Sequence, residues 1–333
     1  MGGDHGPGVV VSGAAAASRE LGLRICLVGP QGLIAEELRR SGAQGLPIEV
    51  ADAPEHVAMG ERLSRATLKK RSSMQVGLER VRDGLAHAFF SAGNTAACWT
   101  IAKMVLGTLE EVDRPALAAI VPHLTGCTVL VDVGANAVCK ARHLEEFAVM
   151  GNVYTRYALH IRDPRVGLMS MGEEETKGSE LTKGVHEVLK ASDLNFVGNV
   201  EGHDLFTGKV DVIVMDGFTG NVALKACETL AESLLHLIRE ELVRNPLRRV
   251  GAALCRGAFR AVKRRTDPIE YGGAPLLGVK GCCVIGHGRS NAVAVKHGIR
   301  AAAEFYTSGV NERIEAALKG LFARKETPSL EGS

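Results

Sequence analysis

Val212-Ile213-Val214-Met215-Asp216-Gly217-Phe218-Thr219-Gly220-Asn221 reads as an apolar strand that breaks into a glycine turn and runs straight into a helix. Three other segments repeat the pattern: Phe89-Phe90-Ser91-Ala92-Gly93-Asn94, Val129-Leu130-Val131-Asp132-Val133-Gly134-Ala135-Asn136, and Cys282-Cys283-Val284-Ile285-Gly286-His287-Gly288-Arg289-Ser290-Asn291. Strand, tight turn and helix in succession is the repeating unit of an α/β sheet covered on both faces. In an open parallel sheet of this kind the strand ends line one crevice, where helix N-termini offer unpaired N–H groups and partial positive charge. The expectation is a crevice for a small, heavily hydrogen-bonded anion. Glycine turns and asparagine N-caps also have a purely structural use, so any one turn alone proves little.

The alternation extends outward from these segments. Strand patterns fall at Arg24–Val28, Ile48–Ala51, Arg165–Met171 and Asn195–Val200, and helix patterns at Gly8–Leu21, Gln31–Ser41, Met74–Gly84, Thr95–Leu106 and Ser179–Ala191. A long helix runs from about Asn221 to Arg244, Pro246 interrupts it, and a second helix follows from about Leu247 to Arg265. The last helix spans Asn291 to about Ala323. This organisation predicts one α/β catalytic domain over 1–323, a helical hairpin inserted at about 221–266, and a polar, disordered tail over 324–333.

Composition excludes several classes. The 333 residues are 46% hydrophobic, ample for a sizeable core, and the net charge of +2 argues against a surface-wide nucleic-acid footprint. Eight cysteines without a C-x-x-C spacing read as free thiols of a reducing cytosol rather than disulfides or zinc ligands. The N-terminus lacks the basic and apolar regions of a signal peptide, and Gly6 stands where myristoylation wants Ser or Thr. No apolar stretch is long enough to span a membrane, so the chain is expected in the cytoplasm. There is no P-loop, and the Gly286 to Asn291 turn lacks the third glycine of a dinucleotide site, so no cofactor is expected and no metal. Gly288-Arg289-Ser290-Asn291-Ala292 comes within one methyl group of a hydrolase nucleophile elbow, but no aspartate follows Ser290 to complete a triad. Cys98, four residues after Asn94, reads as a packing residue or a nucleophilic thiol.

A polar, cofactor-free anion site suits the attack of inorganic phosphate on a thioester. Phosphate is itself a nucleophile and a thiolate leaves readily, so positioning and hydrogen bonds to the developing oxyanion suffice. The charged candidates are His5, Lys177, His287, Asp132 and Asp216. Lys177 reads equally as a solvated loop lysine, His287 as a structural histidine, and the two aspartates as turn caps. Between Leu242 and Thr266 there are eight basic residues and no acidic one, interleaved with Leu247, Val250, Leu254, Phe259 and Val262. Such a segment fits an anionic membrane surface, an acidic protein partner, or a solvated hairpin; with Phe259 its one aromatic residue, nucleic acid ranks below these.

These segments together resemble the PlsX-type phosphate acyltransferases. Besides the four turns, the matching runs are Met1-Gly2-Gly3-Asp4-His5, Asp113-Arg114-Pro115-Ala116, Met150-Gly151, Lys177-Gly178, Asn195-Phe196-Val197-Gly198-Asn199-Val200-Glu201 and Tyr271-Gly272-Gly273-Ala274. The resemblance implies a Rossmann-like three-layer sandwich with a mostly parallel central sheet, of the phosphotransacetylase and isocitrate-dehydrogenase kind. It implies formation of acyl-phosphate from acyl-[acyl-carrier-protein] and inorganic phosphate for phospholipid synthesis, a homodimer, and peripheral contact with the membrane. The alternatives are a phosphotransacetylase acting on acyl-coenzyme A and a non-catalytic membrane scaffold that docks acyl-carrier protein. By motif position the expected catalytic residues are Asn94, Asp132, Asn136, Lys177, Asp216, Thr219, Asn221 and His287. Phosphate is expected on Gly2, Gly3, Asp4, His5, Gly93, Gly220, Gly288, Ser290 and Asn291. Membrane or carrier-protein contact is expected on Arg248, Arg249, Leu254, Arg256, Phe259, Arg260 and Lys263. Members of the family carry a strand and an aspartate ahead of Met-Gly-Gly-Asp; without them a sheet edge is expected to be exposed and one carboxylate missing.

Overall fold

The computed structural model describes residues 3–123, 125–266 and 271–326, with backbone alone for 263–266 and 324–326. The chain opens with α1 (Pro7–Leu21), β1 (Ile25–Gly29), α2 (Gln31–Arg40), β2 (Ile48–Asp52), α3 (Arg65–Lys69) and α4 (Ser73–Arg82). It continues with β3 (Ala88–Ser91), α5 (Thr95–Leu106), β4 (Ala116–Pro122), β5 (Cys127–Val131), α6 (Ala141–Tyr157), β6 (Val166–Met169), α7 (Glu180–Lys190), β7 (Phe196–Val200) and β8 (Val212–Val214). After α8 (Gly217–Val243), α9 (Pro246–Leu254) and α10 (Arg256–Thr266), it closes with β9 (Ala274–Leu277), β10 (Cys282–Ile285), α11 (Ala292–Thr307) and α12 (Val310–Glu326). The tail expected from 324 therefore begins as helix, and 327–333 lie outside the described residues.

Eight strands form the central sheet in the order β3-β10-β9-β4-β5-β8-β6-β7. β3 pairs with β10, β5 with β8, β8 with β6 and β6 with β7 in parallel, whereas β10–β9, β9–β4 and β4–β5 are antiparallel. Three reversals turn β5, β8, β6 and β7 against β3 and β10. The register brings the two sets of strand ends level, because Ile285 pairs with Ala274, Leu276 with Leu117, and Ala118 with Val131. The expected crevice along one edge of a parallel sheet is thus replaced by a meeting of opposed strands near the sheet's centre.

Both faces of the sheet are covered, as an unbroken apolar strand requires. Along β4, Ala116, Ala118 and Ile120 pack with Phe147, Met150 and Val153 of α6 and with Ile314 and Leu318 of α12. The alternate residues Leu117, Ala119 and Val121 pack with Ile101 and Leu106 of α5 and Leu78 of α4. Phe147 and Met150 are fully buried, each worth roughly 1.5–3 kcal/mol against exposure. β1 and β2 form a separate parallel pair. β3 is an end strand of the central sheet among the described residues, and residues of β1 and β3 together line a cavity of about 1060 Å³.

The helical excursion holds three helices rather than two, because the second breaks at Cys255. Beyond its first turn α8 has no fully buried residue among those described. Leu230, Leu234, Leu237 and Ile238 stand exposed along it, and Leu247 and Leu254 are more than four-fifths exposed on α9.

Candidate active site

Each glycine turn is built by its own side chains. After β3, Gly93 N donates to Ser91 Oγ at 3.2 Å. Asn94 then caps α5, its Oδ1 accepting from Ala97 N at 3.0 Å while its Nδ2 donates to Met59 O at 2.9 Å. After β5 the Asp132 carboxylate accepts from five donors: Leu117 N, Gly134 N and Ala135 N on Oδ1, and Asn136 N and Nδ2 on Oδ2. Burial pushes the Asp132 carboxyl above the ordinary carboxylate range, against the pull of those donors. Asn136 Nδ2 also donates to Pro115 O at 2.8 Å. That bond ties the turn to the Asp113-Arg114-Pro115 segment, which α6 clamps: His143 Nε2 lies 2.9 Å from Asp113 Oδ2, and Asp113 N donates to the buried Glu146 at 3.0 Å. After β8, Asp216 caps α8 through Thr219 N at 2.9 Å and Thr219 Oγ1 at 2.8 Å. After β10, Ser290 Oγ donates to His287 O at 2.5 Å and Asn291 Oδ1 accepts from Ala294 N at 2.9 Å.

Glycine lets these turns interlock. A Cβ on Gly220 would lie 1.9 Å from Asp132 O, and one on Gly217 2.7 Å from Asp132 Oδ2, so the first turn of α8 rests directly on the turn after β5. Asp4 N donates to Gly288 O at 3.0 Å, which brings the start of the described chain against the last turn. All four turns then open on one cavity of about 870 Å³: Thr95 and Ala96, Gly134 and Ala135, Gly217, Phe218 and Asn221, and Gly286, His287, Arg289 and Ser290. The same cavity is also lined by the apolar residues Trp99, Leu117, Ala119, Val133 and Leu224. A lining that combines polar turns with apolar side chains suits an anion joined to a hydrocarbon chain.

His287 sets the electrostatics of the polar lining. Arg289 N donates to its Nδ1 at 3.2 Å, so a neutral ring carries its proton on Nε2 as a donor. Burial, and next the Lys225 ammonium, hold its pKa below the ordinary histidine value, so the neutral form prevails at pH 7. Lys225 itself pairs with Glu228 at 2.6 Å, and Arg289 with Glu232 at 3.0 Å.

Comparison with known proteins gives this geometry a family. Residues 1–313 match the family described as fatty acid synthesis protein. The chain belongs to it. Among curated members, the phosphate acyltransferase of Acidobacterium capsulatum is 52% identical over 320 residues, covering 95% of this chain and 94% of that protein. The phosphate acyltransferase of Aquifex aeolicus is 45% identical over 322 residues, covering 96% of each. Among solved structures, a phosphotransacetylase from Streptococcus pyogenes superposes with a TM-score of 0.60 at 16% identity, over 94% of this chain and 92% of that one. A Staphylococcus aureus phosphotransacetylase gives 0.55 at 12%, over 93% and 90%. At such identity the likeness shows the fold: a mixed α/β sandwich of the Rossmann-like kind.

Within this family member the expected residues separate into two groups. Asn221, His287 and Ser290 line the cavity. The Asp132 carboxylate and the Asn136 Nδ2 are buried and committed to the turn, Asn94 is nine-tenths buried with its amide committed to the cap, and none of the three is among the residues that line the cavity. Asp216 and Thr219 bond to one another at the α8 cap. Gly3 and Asp4 lie by Gly288, His5 is not among the lining residues of the cavity, and Gly2 lies outside the described residues. Gly93 and Gly220 act through close packing: a Cβ on Gly93 would come 2.4 Å from Met74 Cε. Lys177 sits on the exposed loop after β6 and is not among the lining residues.

Sequence reasoning missed Trp99, Phe218, Lys225 and Arg289, all of which line the cavity. Lys225 was signalled by its spacing, one helical turn after Asn221. A candidate metal cluster, Glu173, His203 and Asp204, lies outside the cavity, and the Lys209 ammonium already reaches Asp204 at 3.4 Å and Glu173 at 3.7 Å.

Proposed function

We propose that this chain makes acyl-phosphate from inorganic phosphate and the acyl thioester of acyl-carrier protein. The supporting observation is the convergence of four turns on one cavity that is lined by both polar groups and apolar side chains. In the reaction a phosphate oxygen forms a bond to the carbonyl carbon, whose oxygen gains the charge. The tetrahedral species collapses, the C–S bond breaks, and the thiolate leaves to be protonated by solvent. Asn221 Nδ2 and His287 Nε2–H supply donors to the phosphate and the oxyanion, and backbone N–H groups at the helix starts add to them. The acyl chain lies along Trp99, Leu117 and Leu224.

Direct attack is favoured over an acyl-enzyme. Cys98 is buried with its sulfur 4.0 Å from that of Cys283, and Ser290 spends its hydroxyl on its own turn. The names carried by the curated relatives agree with this reading. The test is phosphate-dependent thiol release from acyl-carrier protein and, in parallel, from acyl-coenzyme A. Release that needs phosphate, with no acylated side chain trapped during turnover, is the expected result; release without phosphate refutes it. A faster reaction with coenzyme A would move the assignment to a phosphotransacetylase.

The α8–α10 arm supports a further part of the reading, that one catalytic domain works as a homodimer at a membrane surface in the cytoplasm. Leu230, Leu234, Leu237 and Ile238 recur at helical spacing on the exposed part of α8, which suits pairing with a second copy. No helix among the described residues is long and apolar enough to cross a membrane. At the tip Leu254 and Phe259 are exposed beside Arg256 and Arg260, an arrangement for lying on anionic lipid or meeting an acidic carrier. Arg248 is engaged by the Glu241 carboxylate, so it contributes less free charge than its sequence suggests, whereas Arg249 donates to Val243 O at 2.9 Å and keeps its charge. The side chain of Lys263 lies outside the described residues.

A further inference from the structure

We infer that Lys225 is the cation that captures the phosphate substrate, and that Glu228 holds it as an exchangeable counter-ion while the site is empty. The inference deepens the acyl-phosphate reading and rests on it for the identity of the anion. Its ground is the face that α8 turns to the cavity. Asn221, Lys225, Glu228 and Glu232 follow one another at intervals of four, three and four residues, and all four line the cavity wall. Helical geometry stacks such residues in one stripe. The stripe begins at the one turn asparagine whose side chain lines the cavity.

The charges of that wall balance one another. Lys225 Nζ lies 2.6 Å from Glu228 Oε2, and Arg289, on the turn after β10, lies 3.0 Å from Glu232 Oε1. The wall therefore offers an arriving dianion two cations that are both engaged. Of the two, Lys225 is the better placed, one helical turn from Asn221. Its field also reaches the His287 ring more strongly than that of Arg289, since it opposes protonation there to the greater extent. The pair with Glu228 is half exposed on the lysine side, 53%, and such pairs are weak because water screens them. A phosphate dianion carries more charge than the carboxylate it displaces, and a lysine on four rotatable carbons can swing between the two. Lys177, the lysine singled out in the sequence, stands on a loop that does not line the cavity.

The test measures phosphate binding directly, by phosphorus NMR or calorimetry, on the full chain without any acyl donor. Lys225→Met should weaken phosphate binding by at least tenfold, with Lys225→Arg restoring most of it. In turnover assays the same Lys225→Met should raise the KM for phosphate and leave the KM for the acyl donor unchanged. Glu228→Gln, which removes the competing carboxylate, should tighten phosphate binding several-fold. Lys225 is exposed, so the variant keeps its fold, and thermal melting checks this. Wild-type phosphate affinity in Lys225→Met overturns the inference, and weaker binding in Glu228→Gln overturns the counter-ion role. If the wild type binds phosphate through Lys225 but transfers no acyl group, the acyl-phosphate reading fails alone. If the wild type binds no phosphate, both fall.

Discussion

Replacing Gly220 by alanine tests whether the cavity exists because two turns interlock. The added methyl carbon would stand 1.9 Å from Asp132 O, 2.9 Å from its carbonyl carbon and 3.1 Å from Val133 Cα, all backbone atoms that no side-chain rotation can move. Ordinary contact needs the start of α8 to separate from the turn by roughly 1.5 Å, and misplacing a reacting group by about 1 Å costs about 10²-fold in rate. Because Asn221 follows directly on the same helix, it moves with that displacement. The overpacking itself destabilises by about 1–3 kcal/mol, or more where the backbone cannot yield. Expected, then, are a melting temperature lower by several degrees and phosphate-dependent thiol release reduced by about two orders of magnitude. Gly251→Ala on α9 is the control: a Cβ there meets nothing within 4 Å, so the change should gain about 0.5–1 kcal/mol and leave turnover intact. Wild-type turnover and melting in Gly220→Ala would refute the claim that close approach of α8 to Asp132 positions the site.

Four other outcomes follow from the geometry. Asn221→Ala should lower kcat on the order of 10²-fold with unchanged melting, whereas Asn94→Ala should chiefly lose stability, about 1 kcal/mol, because its amide is a cap; stability and activity measured on both variants separate the roles. The His287 ring should titrate below the ordinary histidine value in NMR, and Lys225→Met should raise it, since removing a nearby cation favours protonation. The unfolded chain binds a proton in that window while the folded ring does not, so stability should fall as pH drops through the histidine range, and His287→Asn should flatten that part of the profile in urea unfolding. Changing both Leu254 and Phe259 to Glu should abolish sedimentation with anionic liposomes; undiminished binding, or equal binding to neutral liposomes, removes the membrane role from the arm.

The sheet was legible where apolar runs end in glycine and not where strands are short or uniform. Ala116-Leu-Ala-Ala-Ile-Val-Pro122 has neither alternation nor a turn signal to mark it as β4, because both its faces are buried. Ala274-Pro-Leu-Leu277 is four residues with a proline, which in a sequence argues against a strand. These two strands make the three antiparallel steps, so missing them meant missing the reversal of the sheet. The helix of Ala141–Tyr157 escaped for a related reason: His143, Glu145 and Glu146 interrupt its apolar pattern yet are buried, Glu146 against Arg142 and His143 against Asp113.

The residues of the site were legible by type, but their roles depended on position within the helix. Asn94 and Asn291 stand at the N-cap itself, where the side-chain oxygen is claimed by the backbone N–H three residues on. Asn136 stands inside a turn already organised by Asp132, and its amide is drawn into the same network. Asn221 differs because Asp216 has taken the cap of its helix, which leaves an asparagine on the second turn with no capping duty. That spacing, an aspartate at the strand end and an asparagine five residues later, can be read from the sequence alone. It selects one of four similar turns as the one whose amide is free for a ligand, and the next helical turn along the same face then points to Lys225.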